Sequence, residues 1–308
     1  MHAFLQTVGS TWCEACRLVH PWVLGRGLGR HPVRYGRWLT CLIHDAAGCA
    51  AARRDPWLFE RQGHRYVERG LASGAKLDLL TGHFRTLARA WSAEARLALY
   101  APGGWPLATV DLGEGGQLAV SLQAPVVHGC EGELQIEVAH IRVGGVAQAV
   151  AQMTVTVDAT HASLLIGGLQ GPKREAGAAA VRDATRAAHG WRPKNVALTV
   201  AYVLAEALGL MHLAGIAQAG HPRPGHIQAD YDGFWIEAGG MARGAWFALP
   251  MPAPVRDLAT VSSKHRAAYR RRLAVHGQLV ALLQARLATA ALTATGMVNA
   301  SAGSPPLA

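Results

Sequence analysis

The sequence predicts an α+β fold in which a helical region comes first and an antiparallel sheet follows. Three observations support this prediction: helical spacing of apolar residues before residue 92, alternating residues between 96 and 157, and a continuous apolar run, "LLIGGLQGP", at 164–172. A purely parallel α/β fold would alternate strands and helices from the start of the chain, and this sequence does not.

The N-terminal region combines helical patterning with many tryptophans and arginines. The stretch "LDLLTGHFRTLARAW" places Leu79, Leu80, Phe84, Leu87 and Trp91 three or four residues apart, as on one face of a helix. We therefore expect a layer of helices ahead of the sheet.

Five segments with alternating apolar residues follow, separated by turns that contain glycine or proline. This succession predicts an antiparallel meander. The segments are "RLALYA" (96–101), "PLATVDLG" (106–113), "QLAVSLQ" (117–123), "GELQIEVAHIRV" (132–143) and "VAQAVAQMTVTV" (146–157).

The more continuously apolar "ASLLIGGL" (162–169) predicts a strand that is buried on both faces. Two helices follow the glycines, with Gly190 and Gly209 as their expected stops. The rest of the chain predicts a short strand, a brief helix, a last strand and a basic helix, found respectively at 211–220, 229–240, 244–251 and 262–288.

The charge balance favours anionic partners. Thirty Lys and Arg residues face 20 Asp and Glu residues, which gives a net charge of +10. Such an excess suits nucleic acid, a phosphate-bearing cofactor or an anionic membrane surface, and does not choose among them.

We expect a cytoplasmic protein without a transmembrane span. The first residues lack the pattern of a secretory signal, and no stretch offers about twenty apolar residues without charge. The five cysteines fit reduced thiols better than a disulfide framework. The oligomeric state is left open.

From residue 79 onward the chain resembles the VirK/YbjX family of bacterial proteins. The matching motifs, in the family's order, are "LLTGHFRTL", "GELQIEV", "LLIGGLQGP", "TRAAHGWRPKN", "ADYDGFWIEAGG", "WFALP" and "SSKHRAAYRRRL". Phe84 and Trp191 stand where the family more often has tyrosine and leucine. The resemblance implies a link to virulence, envelope behaviour or stress response, and it implies no assigned reaction.

The predicted order of elements is also similar to that of GNAT-type acyltransferases. In those enzymes the turn after the central strand binds the pyrophosphate of coenzyme A, and the next helix points its N-terminus at it. The similarity implies coenzyme A or an acyl-CoA as an anionic small-molecule donor. The usual glycine signature of these enzymes is not met by "LQGPKREAG".

We accordingly divide the chain into four regions. These are an N-terminal helical region (1–92), an α+β GNAT-like core (93–275), a C-terminal helix (276–299) and a tail (300–308).

The glycine turn after the central strand has two interpretations. As an anion cradle, it offers the backbone of Gly168 and Gly171 together with the side chains of Gln170, Lys173 and Arg174. Alternatively, its glycines serve only packing and turning. Pro172 has no N–H and removes one donor from the cradle.

The segment "HGWRPKN" (189–195) is the second candidate part of a site. His189 titrates near neutrality and suits proton transfer, while Arg192 and Lys194 suit anion binding. The alternative is a helix stop at Gly190 and a helix start at Pro193. His83, in the helix of residues 79–91, is a second candidate base, although a structural histidine is the commoner role there.

The densest basic run lies in the last helix. A solvated helix face is the common meaning of such a run, and contact with nucleic acid or anionic lipid is the alternative. The residues concerned are Lys264, Arg266, Arg270, Arg271 and Arg272.

Other motifs give weaker predictions. Asp230 and Asp232 stand two residues apart and do not share a helix face, so an acid/base pair is not expected. Asp230 is better explained as a helix N-cap or as an ion-pair partner of the arginines in "RAAYRRRL". Four of the N-terminal thiols and imidazoles could hold a zinc ion, which would make this region a zinc-binding helical module. The second half of the set matches no standard finger spacing, and we expect no metal. The residues are Cys13, Cys16, His20, Cys41, His44 and Cys49.

The sequence therefore supports two functional hypotheses. The first is an acyltransferase-type enzyme with its donor at residues 168–174 and 192–194. The second is a non-enzymatic binder of anionic lipid or nucleic acid that uses residues 264–272.

Overall fold

A computed structural model describes residues 21–125, 129–172, 175–227, 229–255 and 258–291. The described part of the chain forms one eight-stranded sheet and nine α-helices, which confirms the α+β class. Several predictions fall on other residues and lie outside the description, namely those for Cys13, Cys16, His20, Lys173, Arg174 and the tail.

The sheet is antiparallel except at one pair of strands. Its order is β1-β2-β3-β4-β5-β6-β8-β7, and only β5 and β6 run parallel. The strands are β1 Trp105–Asp111, β2 Gln117–Gln123, β3 Leu134–Ile141, β4 Ala147–Asp158, β5 Ser163–Gln170, β6 His212–Ile216, β7 Met241–Arg243 and β8 Trp246–Leu249.

The helices flank this sheet and connect its parallel pair. They are α1 Pro21–Arg30, α2 Pro32–Ile43, α3 Ala46–Arg54, α4 Ser73–Ala90, α5 Ala93–Ala98, α6 Glu175–Ala187, α7 Pro193–Ala207, α8 Tyr231–Glu237 and α9 Ser263–Ala290. The helix α9 runs through the boundary that we predicted between residues 275 and 276.

The predicted meander is confirmed in four of its five strands, and its first segment is wrong. Residues 96–101 lie in α5 and the turn after it. The helix forms because the Ser92 hydroxyl accepts a hydrogen bond from the Ala95 N–H and Glu94 lies in the first turn. The three-residue strand β7, which pairs with β8, was not predicted.

Two hydrophobic clusters lie on opposite faces of the sheet. Leu164 and Ile166 of β5 belong to the larger cluster, which also contains most of α7. Leu165, between them, packs against the smaller cluster of the N-terminal helices. Alternate residues of a strand point to opposite faces, so the sheet separates the two layers.

A buried arginine joins the N-terminal layer to the segment that enters β3. Arg61 Nη1 donates to the carbonyl of Gly129 at 2.5 Å, and its Nη2 lies 2.7 Å from an Asp55 carboxylate oxygen. Its Nε lies 3.4 Å from Oε1 of Glu133, which is also buried. Burial raises the pKa of Glu133, and the Arg61 guanidinium opposes that rise.

We predict that Arg61→Met lowers the free energy of unfolding by about 3–5 kcal/mol, because it leaves the Glu133 charge buried without its cation. Urea denaturation measures the loss. The double variant Arg61→Met/Glu133→Leu should recover much of it, since no unpaired buried charge remains. Equal stability of the two variants would contradict the assigned pairing.

Candidate functional site

A cleft of about 880 Å³ opens beyond the end of β5. Its walls come from the end of β5, from α6, from the turn that leads into α7, and from α8. The polar and glycine residues along these walls are Gln170, Gly171, Arg182, Thr185, Arg186, Gly190, Arg192, Lys194, Asp230, Gly233 and Glu237.

The cleft brings together the two segments that the sequence singled out. Gln170 and Gly171 line one wall, and Arg192 and Lys194 line another. These four of the predicted cofactor-binding residues therefore share one cavity. Gly168 is not among the lining residues.

The rim of the cleft is basic and its floor is apolar. Four cationic side chains stand against two carboxylates, and the floor includes Val150, Ala151, Leu169, Val181 and Phe234. A cavity of this kind suits a ligand that has an anionic part and an apolar part.

The two basic residues of the turn differ in their environment. Arg192 Nη2 lies 2.6 Å from Oε1 of Glu237, and both side chains are partly exposed. Lys194 Nζ lies 4.4 Å from the centre of the Phe234 ring. Burial and the neighbouring Arg192 lower the pKa of Lys194, while Glu237 and Asp230 oppose that shift.

The N-terminus of α7 also lies at the cleft. Pro193 occupies the first turn of this 15-residue helix, and both Pro193 and Lys194 line the cavity. The partial positive charge of a helix N-terminus adds to the charge of the two cations.

The predicted helix stop before this turn is confirmed. The Gly190 N–H donates to the carbonyl of Thr185, and Gly190 has a φ of +83°. His189 precedes it with a φ of +53°, and its carbonyl accepts hydrogen bonds from Nε and Nη2 of Arg272. The segment thus ends one helix, starts the next and contributes cations to the cleft.

Two glycines of β5, Gly167 and Gly168, pack against Glu131. The β4–β5 register shifts next to Gly167, which has no partner in the ladder. A Cβ atom at Gly167 would overlap the carbonyl oxygen of Glu131, and a Cβ at Gly168 would overlap the carboxylate of Glu131. Gly168 therefore lies under the Glu131 side chain and not at the cleft.

The strands β5 and β6 stop pairing before β5 ends. Their parallel register runs from Ser163–His212 to Ile166–Gly215, whereas β5 continues to Gln170. Beyond that point the N–H of Leu169 donates to the hydroxyl of Tyr231 at 2.7 Å instead of to β6.

A buried polar cluster, which sequence reasoning missed, lies at this divergence. His221 Nε2 is 3.3 Å from Oε1 of Glu131, with both side chains almost fully buried. The Nδ1 atom of His221 accepts the Arg223 N–H, which leaves the ring proton on Nε2 in the neutral form. The Gln170 amide donates to Glu131 at 3.1 Å and so connects this cluster to the cleft. No motif distinguished Glu131 and His221, since their proximity depends on tertiary structure.

His83 lies elsewhere and has a structural environment. Its Nδ1 accepts the N–H of Val157 at 3.1 Å, and the side chain is fully buried. Burial lowers the pKa of His83 to about 3. The ring is therefore neutral at physiological pH and holds β4 to α4, and we do not include His83 in the candidate site.

The basic run of α9 divides into two groups. Lys264, Arg266, Arg270 and Arg271 are exposed. Arg272 is partly buried and is used by the fold, because it holds the carbonyl of His189. By helical spacing Lys264 and Arg271 lie on one side of α9 and Arg266 and Arg270 on another, and none of the four lines the cleft.

The remaining predictions concern caps, metals and membranes. Asp230 is the N-cap of α8 and accepts the Gly233 N–H, as predicted. Among the described residues, no group of three His, Cys, Asp or Glu side chains has a metal-binding arrangement. No described helix is both long enough and apolar enough to span a membrane.

Comparison with known proteins identifies relatives along most of the chain. The model of the family described as "Protein of unknown function (DUF535)" matches residues 28–285. "Uncharacterized protein YbjX" of Escherichia coli (strain K12) is 27% identical over 261 residues, which cover 82% of this chain and 77% of that protein.

Two shorter matches come from Haemophilus influenzae. Both are named "Uncharacterized protein" and are 32% identical. One match covers 41% of this chain and 44% of the relative, and the other covers 39% and 43%. No solved structure matches the chain significantly.

We predict that Gly167→Ala destabilises the protein by about 1–3 kcal/mol, because the new methyl group must displace Glu131. Gly171→Ala is the matched control, since its Cβ would meet nothing within 4 Å. Thermal unfolding of both variants makes the comparison. A Gly167→Ala variant as stable as Gly171→Ala would contradict the packing of Glu131 on β5.

Proposed function

The chain belongs to the DUF535 family, and on that premise we propose that it is an acyltransferase-type enzyme with a phosphate-bearing acyl donor. Coenzyme A thioesters are the donor class that best fits the cleft. The observation that supports the proposal is that Gln170, Gly171, Arg192 and Lys194 line one cleft together with apolar side chains.

The sheet order gives the proposal a second support. An antiparallel series, one parallel pair and a closing antiparallel pair are similar to the order in GNAT-type acyltransferases. The pairing of β5 and β6 ends before β5 does, next to the cleft. Likeness of order is an argument at the level of fold, and the site residues have to carry the chemistry.

The lining residues suggest how such a donor would be held. The guanidinium and ammonium groups of Arg182, Arg186, Arg192 and Lys194 would bind the phosphates, together with the N-terminus of α7. The apolar floor beneath them would hold the uncharged arm. Gln170 is fixed by its hydrogen bond to Glu131 and would present its side chain at the inner wall.

A coenzyme A thioester, when bound, would supply an activated carbonyl for attack by an acceptor hydroxyl or amine, and its carbon–sulfur bond would break to release coenzyme A as a thiolate. The chain would accept the proton that the acceptor loses and pass it to that thiolate. We propose His189 for this step, because it is partly buried and directly precedes Gly190, which lines the cleft. The acceptor is left open.

We predict that coenzyme A binds the purified protein and that Arg192→Gln/Lys194→Gln weakens binding by about tenfold or more, since each lost cation removes a charge-assisted hydrogen bond. Isothermal titration calorimetry measures the affinity. Arg89→Gln/Arg243→Gln is the charge-matched control, because both residues are exposed and neither lines the cleft. No binding by the wild type, or equal loss in both variants, would contradict the proposal.

A second proposed function rests on the exposed basic residues of α9. In this case the chain binds nucleic acid or anionic lipid without catalysis through Lys264, Arg266, Arg270 and Arg271, all of which are exposed. Arg272 is not included because it is partly buried and holds the carbonyl of His189, whereas Arg266 donates to the carbonyl of Val261 and stays exposed.

We predict for this second function that Lys264→Gln/Arg270→Gln/Arg271→Gln elutes from heparin at lower salt than the wild type. Coenzyme A affinity should stay the same, since none of the three residues lines the cleft. Heparin chromatography and calorimetry on the same preparation separate the two functions. Unchanged elution would remove the second proposal and leave the first intact.

A further inference from the structure

An aromatic and basic surface covers part of the N-terminal layer, and its residues are distant in sequence from those that line the cleft. We define it by five side chains, all exposed: Trp22, Arg26 and Arg30 of α1, and Trp57 and His64 after α3. The two tryptophans are 61% and 62% exposed. Tryptophan is a large side chain that is usually buried, so two on one surface indicate an interaction site.

The five side chains form a continuous surface. The Arg26 guanidinium lies 4.6 Å from the centre of the Trp22 ring. Arg26 and Arg30 line a shallow groove together with Glu60 and His64, and the His64 Nε2 atom lies 3.9 Å from a Glu60 carboxylate oxygen. The His64 ring lies 5.5 Å from the Trp57 ring. The surface therefore runs from one tryptophan to the other through this groove, where two arginines stand against one carboxylate.

The sequence of this layer makes the surface cationic. Residues 21–44 contain four arginines and no aspartate or glutamate. Arg34 lies 3.2 Å from Asp78, whereas Arg26 and Arg30 lie on the exposed stripe of α1 with Trp22. On that stripe Gly25 and Gly29 have no side chain, and they leave the tryptophan and the arginines prominent.

We propose that this aromatic and basic surface docks the protein on an anionic lipid membrane. Indole rings partition into the interfacial region of a bilayer, and arginines attract anionic headgroups while their stems cover apolar surface. The proposed attachment is peripheral. This docking site is separate from the cleft and from the exposed basic residues of α9.

Lipid fits this surface better than single-stranded nucleic acid does. A stacking platform for bases needs open ring faces, and one face of Trp22 is covered by Arg26. The same arrangement suits a membrane–water interface, where the Trp22 ring enters the headgroup region and the Arg26 guanidinium remains with the lipid phosphates.

Vesicle flotation tests the proposal with the full chain. The wild type should float with phosphatidylcholine vesicles that contain phosphatidylglycerol and should stay in solution with phosphatidylcholine vesicles. Arg26→Gln/Arg30→Gln should reduce partitioning by roughly twenty-five-fold, on the basis of about fivefold for each arginine at an anionic surface. Trp22→Ala/Trp57→Ala should also reduce partitioning. At high salt, where the charge contribution is screened, its effect should exceed that of the arginine variant.

Three controls make the test specific. Trp22→Phe/Trp57→Phe should keep part of the binding, and Met211→Ala, which removes an exposed apolar side chain elsewhere, should keep all of it. Thermal unfolding of every variant should match the wild type, because the substituted residues are exposed. The α9 variant Lys264→Gln/Arg270→Gln/Arg271→Gln should lose less partitioning than Arg26→Gln/Arg30→Gln, although it removes one more charge, because α9 is not part of the proposed docking site.

Several outcomes would overturn the proposal. They are failure of the wild type to float with anionic vesicles, flotation that survives both the arginine and the tryptophan variants, and loss of flotation only in the α9 variant. Retention on single-stranded DNA through Trp22 and Trp57 without vesicle binding would likewise assign the surface to nucleic acid. None of these outcomes bears on coenzyme A binding in the cleft, which is measured separately.

Discussion

The short segment of residues 129–133 is the constraint on which both the fold and the candidate site depend. On one side its carbonyls at Gly129 and Cys130 accept hydrogen bonds from Arg61 and from the Val67 N–H, so it is tied to the N-terminal layer. On the other side the carbonyl and the carboxylate of Glu131 pack against Gly167 and Gly168 of β5. One segment thus fixes the helical layer, the end of the central strand and the buried pair of Glu131 with His221.

This constraint explains the shape of the candidate site. Where β5 stops pairing with β6, the space is taken by Glu131, His221 and Tyr231 rather than left for a ligand. The ligand-sized cleft lies farther along, where β5 ends and α6, α7 and α8 converge. Gln170 touches both regions, because it lines the cleft and donates to Glu131. The buried cluster of Glu131, His221 and Tyr231 therefore supports the inner wall of the cleft through Gln170.

Much of this architecture could be predicted from local sequence. Alternation located β1 to β4, and a continuous apolar run located β5. Glycines at 190 and 209 located two helix ends, since both adopt the positive φ that ends a helix. The Asp230 cap followed from side-chain chemistry. The prediction failed at residues 96–101, where capping by Ser92 outweighs a short alternating pattern.

The functional roles of individual residues were harder to predict. The role of Gly167 and Gly168 depends on Glu131, which lies more than thirty residues away in sequence, and no local pattern encodes that contact. The burial of His83 likewise depends on its hydrogen bond to β4. In contrast, the proximity of Gln170, Arg192 and Lys194 followed from their places at the ends of neighbouring elements.

We propose that the cleft beyond β5 binds the phosphates of an acyl donor, and a crystal structure of the protein soaked with coenzyme A would show where those phosphates lie. We expect pyrophosphate oxygens within hydrogen-bond distance of Arg192 or Lys194, with the uncharged arm along Leu169 and Phe234. Coenzyme A bound between β5 and β6 with Glu131 displaced, or bound away from the cleft, would contradict it.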